Sequence, residues 1–369
     1  MADIKISTTT AGLKDGNYAL IGKLNTPLKM YIQNESDAAA KKKGPADWLC
    51  TITKSDRFAE SGAAENRLSG LSVVNEGGDA PTYSRSETDL SVINMYQFMR
   101  SEIITATDIE DSYGKVTGSM QRQMKRMIND YYVTRNNLAA WLMYNGTKTS
   151  ATFGGSTLPI GAPNNNPLFF NEHPVGNDGD KQSNILFGQR GSAAAIDKET
   201  VEACMNAAAV HMMGMKTNDG QALGYYPDTI VIPGNNAALI KAAKQAIGSE
   251  YTDNGSGQAS NGINIQHGNW SLIILPQWQL TDATACPMIF LSSAARDAMG
   301  GNMLYDRTPY KIHDWVEGRS MNYCWTGRAR MGVGHHTYKH AVFFESLASG
   351  KTTLFDGQTA ASAATKITL

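Results

Sequence analysis

The chain has 369 residues, of which 41% are hydrophobic and 18% charged, and its formal net charge is −1. That length leaves room for two domains with a sizeable buried core. The near-neutral balance excludes the strongly basic signature of a dedicated nucleic-acid binder.

Residues 1 to about 45 are polar and small, with Ala38-Ala39-Ala40 and Lys41-Lys42-Lys43 ahead of Gly44-Pro45. They read as an arm without a core of its own. Residues 55 to about 90 lack helical periodicity and carry the turn signals Ser61-Gly62, Ser69-Gly70, Gly77-Gly78 and Ala80-Pro81. Short β-like runs, Leu71 to Val74 and Leu90 to Ile93, accompany them, so a long two-stranded hairpin is expected. Such a hairpin is marginal alone and needs a surface to lie on, which points to a neighbouring molecule.

Met120, Met124, Met127, Tyr131, Leu138, Trp141 and Leu142 recur at spacings of three, four and seven, which predicts a helix over about 118–146. Asn145-Gly146 is its stop signal. At 1.5 Å per residue it is roughly 40 Å long. Arg122, Lys125, Arg126 and Arg135 are expected to keep their charged heads in solvent or meet a partner.

Residues 147 to 190 are loop-like and rich in Gly, Asn and Pro, with Leu168-Phe169-Phe170-Asn171-Glu172-His173-Pro174 as an apolar anchor. A second helix is expected over about Asp197 to Met215, with Asp197 placed to cap it. An apolar strand (Asp228 to Pro233) then leads into an alanine-rich helix (Asn235 to Ile247). A Gly/Ser/Asn-rich loop and two apolar runs, Ser271 to Pro276 and Met288 to Ser292, follow. Beyond a Gly-Gly break come strands at Tyr310 to Trp315, Asn322 to Met331 and Lys339 to Phe344, then a polar tail after Gly350.

The four cysteines, Cys50, Cys204, Cys286 and Cys324, form no C-x-x-C pair. That argues against a zinc or redox motif and fits a reducing compartment. The N-terminal residues show no apolar signal core and no run of about 18 apolar residues occurs, so a soluble protein without a membrane partner is expected.

This order of arm, hairpin extension, long helix, α/β domain and closing strands resembles the major capsid proteins of tailed phages. More narrowly it is similar to the Mu-type major head subunit. The likeness is carried by Phe169-Phe170-Asn171-Glu172-His173-Pro174, Asn184-Ile185-Leu186, the segment Gly220 to Pro233 and the loop Asn261-Gly262-Ile263-Asn264. It covers about residues 50 to 345, and its specificity lies in the order of these motifs.

The resemblance implies an α+β chain with the tailed-phage major capsid (Johnson) fold. The implied parts are an N-terminal arm (1–46), an E-loop extension with flanking strands (47–95) and a P-domain with its spine helix (96–190). An A-domain (191–308), closing strands returning to the P-domain (309–346) and a C-terminal tail (347–369) complete it. It implies a structural protein, not an enzyme, with no cofactor. Such a protein self-assembles through pentamers and hexamers into an icosahedral shell around double-stranded DNA, held without sequence specificity. Separate scaffolding, portal or decoration proteins are the implied partners, the virion is the implied location, and the bacterial host cytoplasm is the site of synthesis. The loop Gly248 to Gly262 is the expected axis-facing tip of the A-domain. Two other readings stand beside this one: an encapsulin-like nanocompartment shell, and a soluble metal-dependent α/β enzyme.

Some members of the family staple the shell with an isopeptide bond from an E-loop lysine. Residues 55–114 contain no lysine, so that bond is excluded there. The chain shows no charged, coiled-coil-like scaffolding segment, which implies a separate scaffold if one is needed, or a different precursor.

Residues 55–114 carry eleven acidic and four basic side chains, whereas residues 112–146 carry five basic and one acidic. The acidic extension of one subunit is expected to dock partly on the basic helix of the next, with opposite potentials steering the contact. The contact residues expected are Arg57, Glu76, Asp79, Arg85 and Glu87 on the extension, and Arg122, Lys125 and Arg126 on the helix. Arg328 and Arg330 share a face of a late strand and join them. Solvated charged faces are the plain alternative.

His335, His336 and His340 are the densest histidine group. Strand geometry would put His336 and His340 on one face, the two candidates for a metal, but only Glu345 lies near to complete a ligand set. His313-Asp314 lacks a G-x-S-x-G elbow to make a hydrolase triad. Asp219-Gly220 and Asp253-Asn254-Gly255 lack the EF-hand spacing and read as turns.

Overall fold

A computed structural model describes residues 6–7, 16–65, 87–113, 115–160, 163–175, 180–190, 196–217, 220–248, 251–253, 259–264, 266–282 and 284–367. The described residues divide into two compact units. One lies within Met1–Glu60, Asn94–Ala139 and Leu304–Val333, the other within Ser61–Ile93, Ala140–Met303 and Gly334–Leu369.

The first unit is built on a sheet whose strands Asn302–Val316, Tyr323–His335 and Tyr96–Ile104 lie side by side. Strand Tyr96–Ile104 runs antiparallel to Tyr323–His335, with Phe98 opposite Ala329. Alternation along the strands sends Tyr310, Ile312, Tyr323, Trp325, Ala329 and Met331 into one core. The long spine helix Gly118–Tyr144 covers that face, burying Met120, Met124, Met127, Ile128 and Tyr131. Gly327 has a packing reason. A Cβ there would collide with the phenol of Tyr310, which stacks on Tyr131 at 5.0 Å and donates to the Met127 carbonyl at 2.9 Å.

Two expectations change in this unit. The polar arm contains a helix, Gly16–Ala40, whose Leu24, Leu28 and Ile32 are fully buried in the same core. Their spacing of four residues makes one apolar stripe on an otherwise polar helix, enough to dock it. Arg135 of the spine helix is also not a solvated head. It is mostly buried and donates from Nη2 to Asp47 Oδ1 at 2.8 Å.

The second unit holds a six-stranded mixed sheet, in the order Ser271–Leu275, Thr229–Pro233, Pro287–Leu291, Ala341–Leu347, Ile185–Gln189 and Thr365–Lys366. Helices Lys198–Gly214 and Ala237–Gly248 contribute Val201, Cys204, Met205, Ala208, Leu239 and Ala243 to the core on one of its faces. Asp197 caps the first of them, accepting from the Thr200 N–H at 2.8 Å.

The division differs from the one read from the sequence. Strand Ala341–Leu347, expected to return to the P-domain, is buried along its whole length in the middle of this sheet. It pairs parallel to Ile185–Gln189 and antiparallel to Pro287–Leu291. Residues 140–190, expected in the P-domain, belong to this unit as well. Hydrophobic runs identify strands, but pairing partners are long-range facts that no local pattern carries.

The tail beyond Gly350 is docked. Leu354 and Ala360 are buried, and Phe355 packs on Phe343 and Trp278. Thr365–Lys366 adds the last strand. The loop expected as an axis-facing tip contains a paired ribbon, Tyr251–Asp253 with Ala259–Ile263, and its tip (254–258) lies outside the described residues.

Candidate assembly surfaces and the signature hub

Two of the segments that carried the family resemblance, Phe169–Pro174 and Asn184–Leu186, meet in one place. Asn184 is fully buried, and its Nδ2 donates to the carbonyls of Leu168 (2.7 Å), Ala341 (3.2 Å) and Tyr338 (3.4 Å). Its Oδ1 accepts from the Phe170 N–H at 2.8 Å and from His173 Nε2 at 3.2 Å. His173 also donates to the Leu168 carbonyl and lies flat on Tyr338, with ring centroids 3.6 Å apart. Phe169 rests on Phe343 and against Gly146, where a Cβ would press into its ring. The motif is thus a buried clasp that joins three stretches of chain. Burial holds the His173 pKa down at about 4, so the ring is neutral at pH 7.

The histidine cluster is arranged differently from the expectation. Strand Tyr323–His335 ends at His335, so strand alternation does not extend to His336 and His340. His335 Nδ1 and His340 Nε2 both meet Asn302 Oδ1, at 2.7 and 2.8 Å. His336 instead bonds the Ser91 hydroxyl at 2.5 Å. Burial lowers the pKa of His335 and His340, the latter to about 3. Among the described residues no group of three His, Cys, Asp or Glu side chains is set to hold a metal.

The contact residues named from sequence fall on several surfaces. Arg328 and Arg330 are half-buried and lie on the sheet face opposite the spine helix, in register with Met99 and Gln97. Arg330 lies over the ring of Phe58, itself 68% exposed, at 5.9 Å. Met99 and Ile103 add exposed apolar area to this outward face. On the spine helix Lys125 is engaged with Glu35 of the arm helix at 3.2 Å. Arg122 and Arg126 are exposed one turn apart, and no ion pair is formed by either among the described residues.

The base of the extension pairs Ala59–Glu65 with Glu87–Asn94. Leu90 (63%) and Val92 (56%) are exposed on one side of it, while Ser91 and Ile93 are buried. Arg57 is exposed beside Glu60 at 3.9 Å. Glu87 starts the second strand of the ribbon. Glu76, Asp79 and Arg85 lie outside the described residues.

Glu345, weighed in the sequence only as a possible companion to the histidines, has a different setting. It sits buried in the central strand of the second unit, accepts the Phe355 N–H at 2.8 Å, and burial pushes its pKa up to about 8. A lone acidic residue in the pattern Phe343-Phe344-Glu345 was the available signal.

The described residues thus combine an α+β fold, a long spine helix and an extension whose base exposes apolar side chains. Residues 160–278 match the family model of the Mu-like prophage major head subunit gpT, a stretch that includes the His173–Asn184 clasp. Solved structures similar to the chain include the capsid of the cyanophage P-SCSP1u (11% identity, TM-score 0.47, covering 82% of this chain and 87% of that one). The capsid of Ralstonia phage GP4 has 11% identity, a TM-score of 0.46 and coverage of 82% and 87%. The procapsid of bacteriophage JBD30 has 13% identity, a TM-score of 0.44 and coverage of 93% and 84%. No curated protein matches the chain. No helix among the described residues is long and apolar enough to cross a membrane.

Proposed function

We propose that this chain is a major capsid protein whose function is its own assembly into a closed icosahedral shell around double-stranded DNA. The observation that carries the reading is the family match over residues 160–278, in which Phe170, His173 and Asn184 form one buried clasp. Assembly needs no reacting group. It needs surfaces that gain more by meeting a copy than by facing water, repeated many times.

The outward sheet face of the first unit has that character, with Arg328 and Arg330 set among Met99, Ile103 and Phe58. The extension of a neighbouring copy has the complementary one: acidic side chains along its length and exposed Leu90 and Val92 at its base. The extension therefore docks on this face as well as near Arg122 and Arg126 of the spine helix. Scaffolding, portal and decoration proteins act alongside it, and the subunit is made in the bacterial host cytoplasm before it enters the virion. The net charge of −1 suits a wall that encloses DNA without gripping it.

Negative-stain electron microscopy of the purified chain, beside size-exclusion chromatography, tests the reading. Closed shells or rings of five and six subunits are expected. A monomer at every salt concentration, with or without co-expressed head proteins, overturns it.

A further inference from the structure

A cavity of about 560 Å³ opens within the first unit, between the spine helix, strand Asn302–Val316 and the segment that follows the arm helix. Lys42, Lys54, Arg135 and Arg307 line it, against the carboxylates of Asp47, Asp56 and Asp306. Asp47 is already committed, accepting from Arg135 Nη2 at 2.8 Å and from the Gly44 N–H at 2.9 Å. Asp306 is largely buried, and that burial raises its carboxyl pKa, so it is the weakest of the three as a counter-charge. Arg135 Nε, Arg307 Nη1 and Asp306 Oδ1 are buried with no hydrogen-bond partner among the described residues. A buried donor or acceptor left without a partner is costly, and a polar group entering this cavity would relieve the unpartnered donors.

The charges say what that is. Four cations against three carboxylates, one of them weakened by burial, leave an excess of positive charge. A carboxylate offsets that excess, whereas a bulkier phosphate would also crowd Asp47 and Asp56. Ile52, Tyr132 and Pro309 add apolar surface to the lining, which strengthens a charge-assisted bond made there. Acids are in supply on the chain itself, with eleven in residues 55–114.

We propose that this cavity is a socket for an aspartate or glutamate side chain of a second copy of the chain, received by Arg307 and Lys54 at a subunit contact. The proposal rests on the assembly reading above. It gives Arg307 Nη1, buried without a partner among the described residues, a partner at a contact.

The test compares full-length wild type with Arg307→Met and Lys54→Met. Free subunits are melted, particle yield is counted by negative stain, and wild-type particles are imaged by electron cryo-microscopy. The expected result is a melting temperature unchanged or higher for Arg307→Met, a fall of about tenfold in particle yield, and density from a neighbour's acidic side chain in the cavity. If Arg307→Met lowers subunit stability, the exposed Lys54→Met carries the yield comparison. Well-formed particles with only water or an isolated ion in the cavity, or variants assembling at wild-type yield, overturn the socket and leave the assembly reading standing. No wild-type particles or rings under any salt condition overturn both.

Discussion

Asn184 joins three stretches of chain through one buried amide, and a methyl group in its place would leave the carbonyls of Leu168 and Ala341 and the N–H of Phe170 short of partners. Asn184→Ala should therefore destabilise the subunit by roughly 2–3 kcal/mol, read from urea denaturation. Glu345 sets a pH limit. Its folded pKa of about 8 lies above the ordinary glutamate value of 4.5, so its stabilising contribution is full below pH 4.5 and is lost as pH rises through 8. Glu345→Gln keeps an acceptor for Phe355 and removes that loss. At pH 8 it should be more stable than wild type by on the order of 3 kcal/mol, with the gap closing by pH 4; a constant gap across this range would rule out titration of Glu345 as the cause. His173 and His340 act in the opposite sense. Both have lowered pKa values, so stability falls as pH drops below 6.5 toward 4. Residue types at the clasp were legible as a motif, but their partners were not, because the amide of Asn184 reaches the start of a strand 157 positions away.

Among the elements, the two long helices show what patterning can and cannot reveal. The spine helix repeats apolar residues through most of its turns, and that rhythm is visible in any window. The arm helix has a buried stripe centred on Leu24, Leu28 and Ile32 amid Asn, Gln, Ser, Asp and Lys, so composition reads as an arm while the structure docks it. Leu28→Ala removes the middle of that stripe. It should cost roughly 2–5 kcal/mol and expose residues 16–40 to limited proteolysis ahead of the rest of the chain. Equal protease resistance in variant and wild type would mean that the helix does not depend on this contact.

For the whole molecule, the assembly proposal rests on the outward face of the first unit's sheet. Arg328→Glu with Arg330→Glu reverses its charge without touching the core, because Ala329 and Met331 carry the packing on the other side. Subunit melting should shift by no more than about 1 kcal/mol in stability, while assembly slows and its response to salt changes sign. Wild-type assembly should slow with added salt, since screening acts over about 8 Å at physiological ionic strength. Light-scattering kinetics from low to high salt reads both. Indifference of the wild-type rate to salt would remove charge steering from the account.

By itself the sequence determined the order of elements, the spine helix, the apolar strands and the family likeness, because each is written in local periodicity or in motifs a few residues long. It also excluded a lysine staple in residues 55–114, a matter of composition alone. Tertiary structure decided which strands pair, that Ala341–Leu347 lies at the centre of the second unit's sheet, and that the arm is a docked helix. It alone brought His335 and His340 to Asn302, buried Glu345 beneath the tail, and gathered Arg135 and Arg307 around one cavity. The reason is the same in each case. Strand partners, burial and hydrogen bonds arise from contacts between residues far apart along the chain, and the folded core, not the local pattern, chooses them.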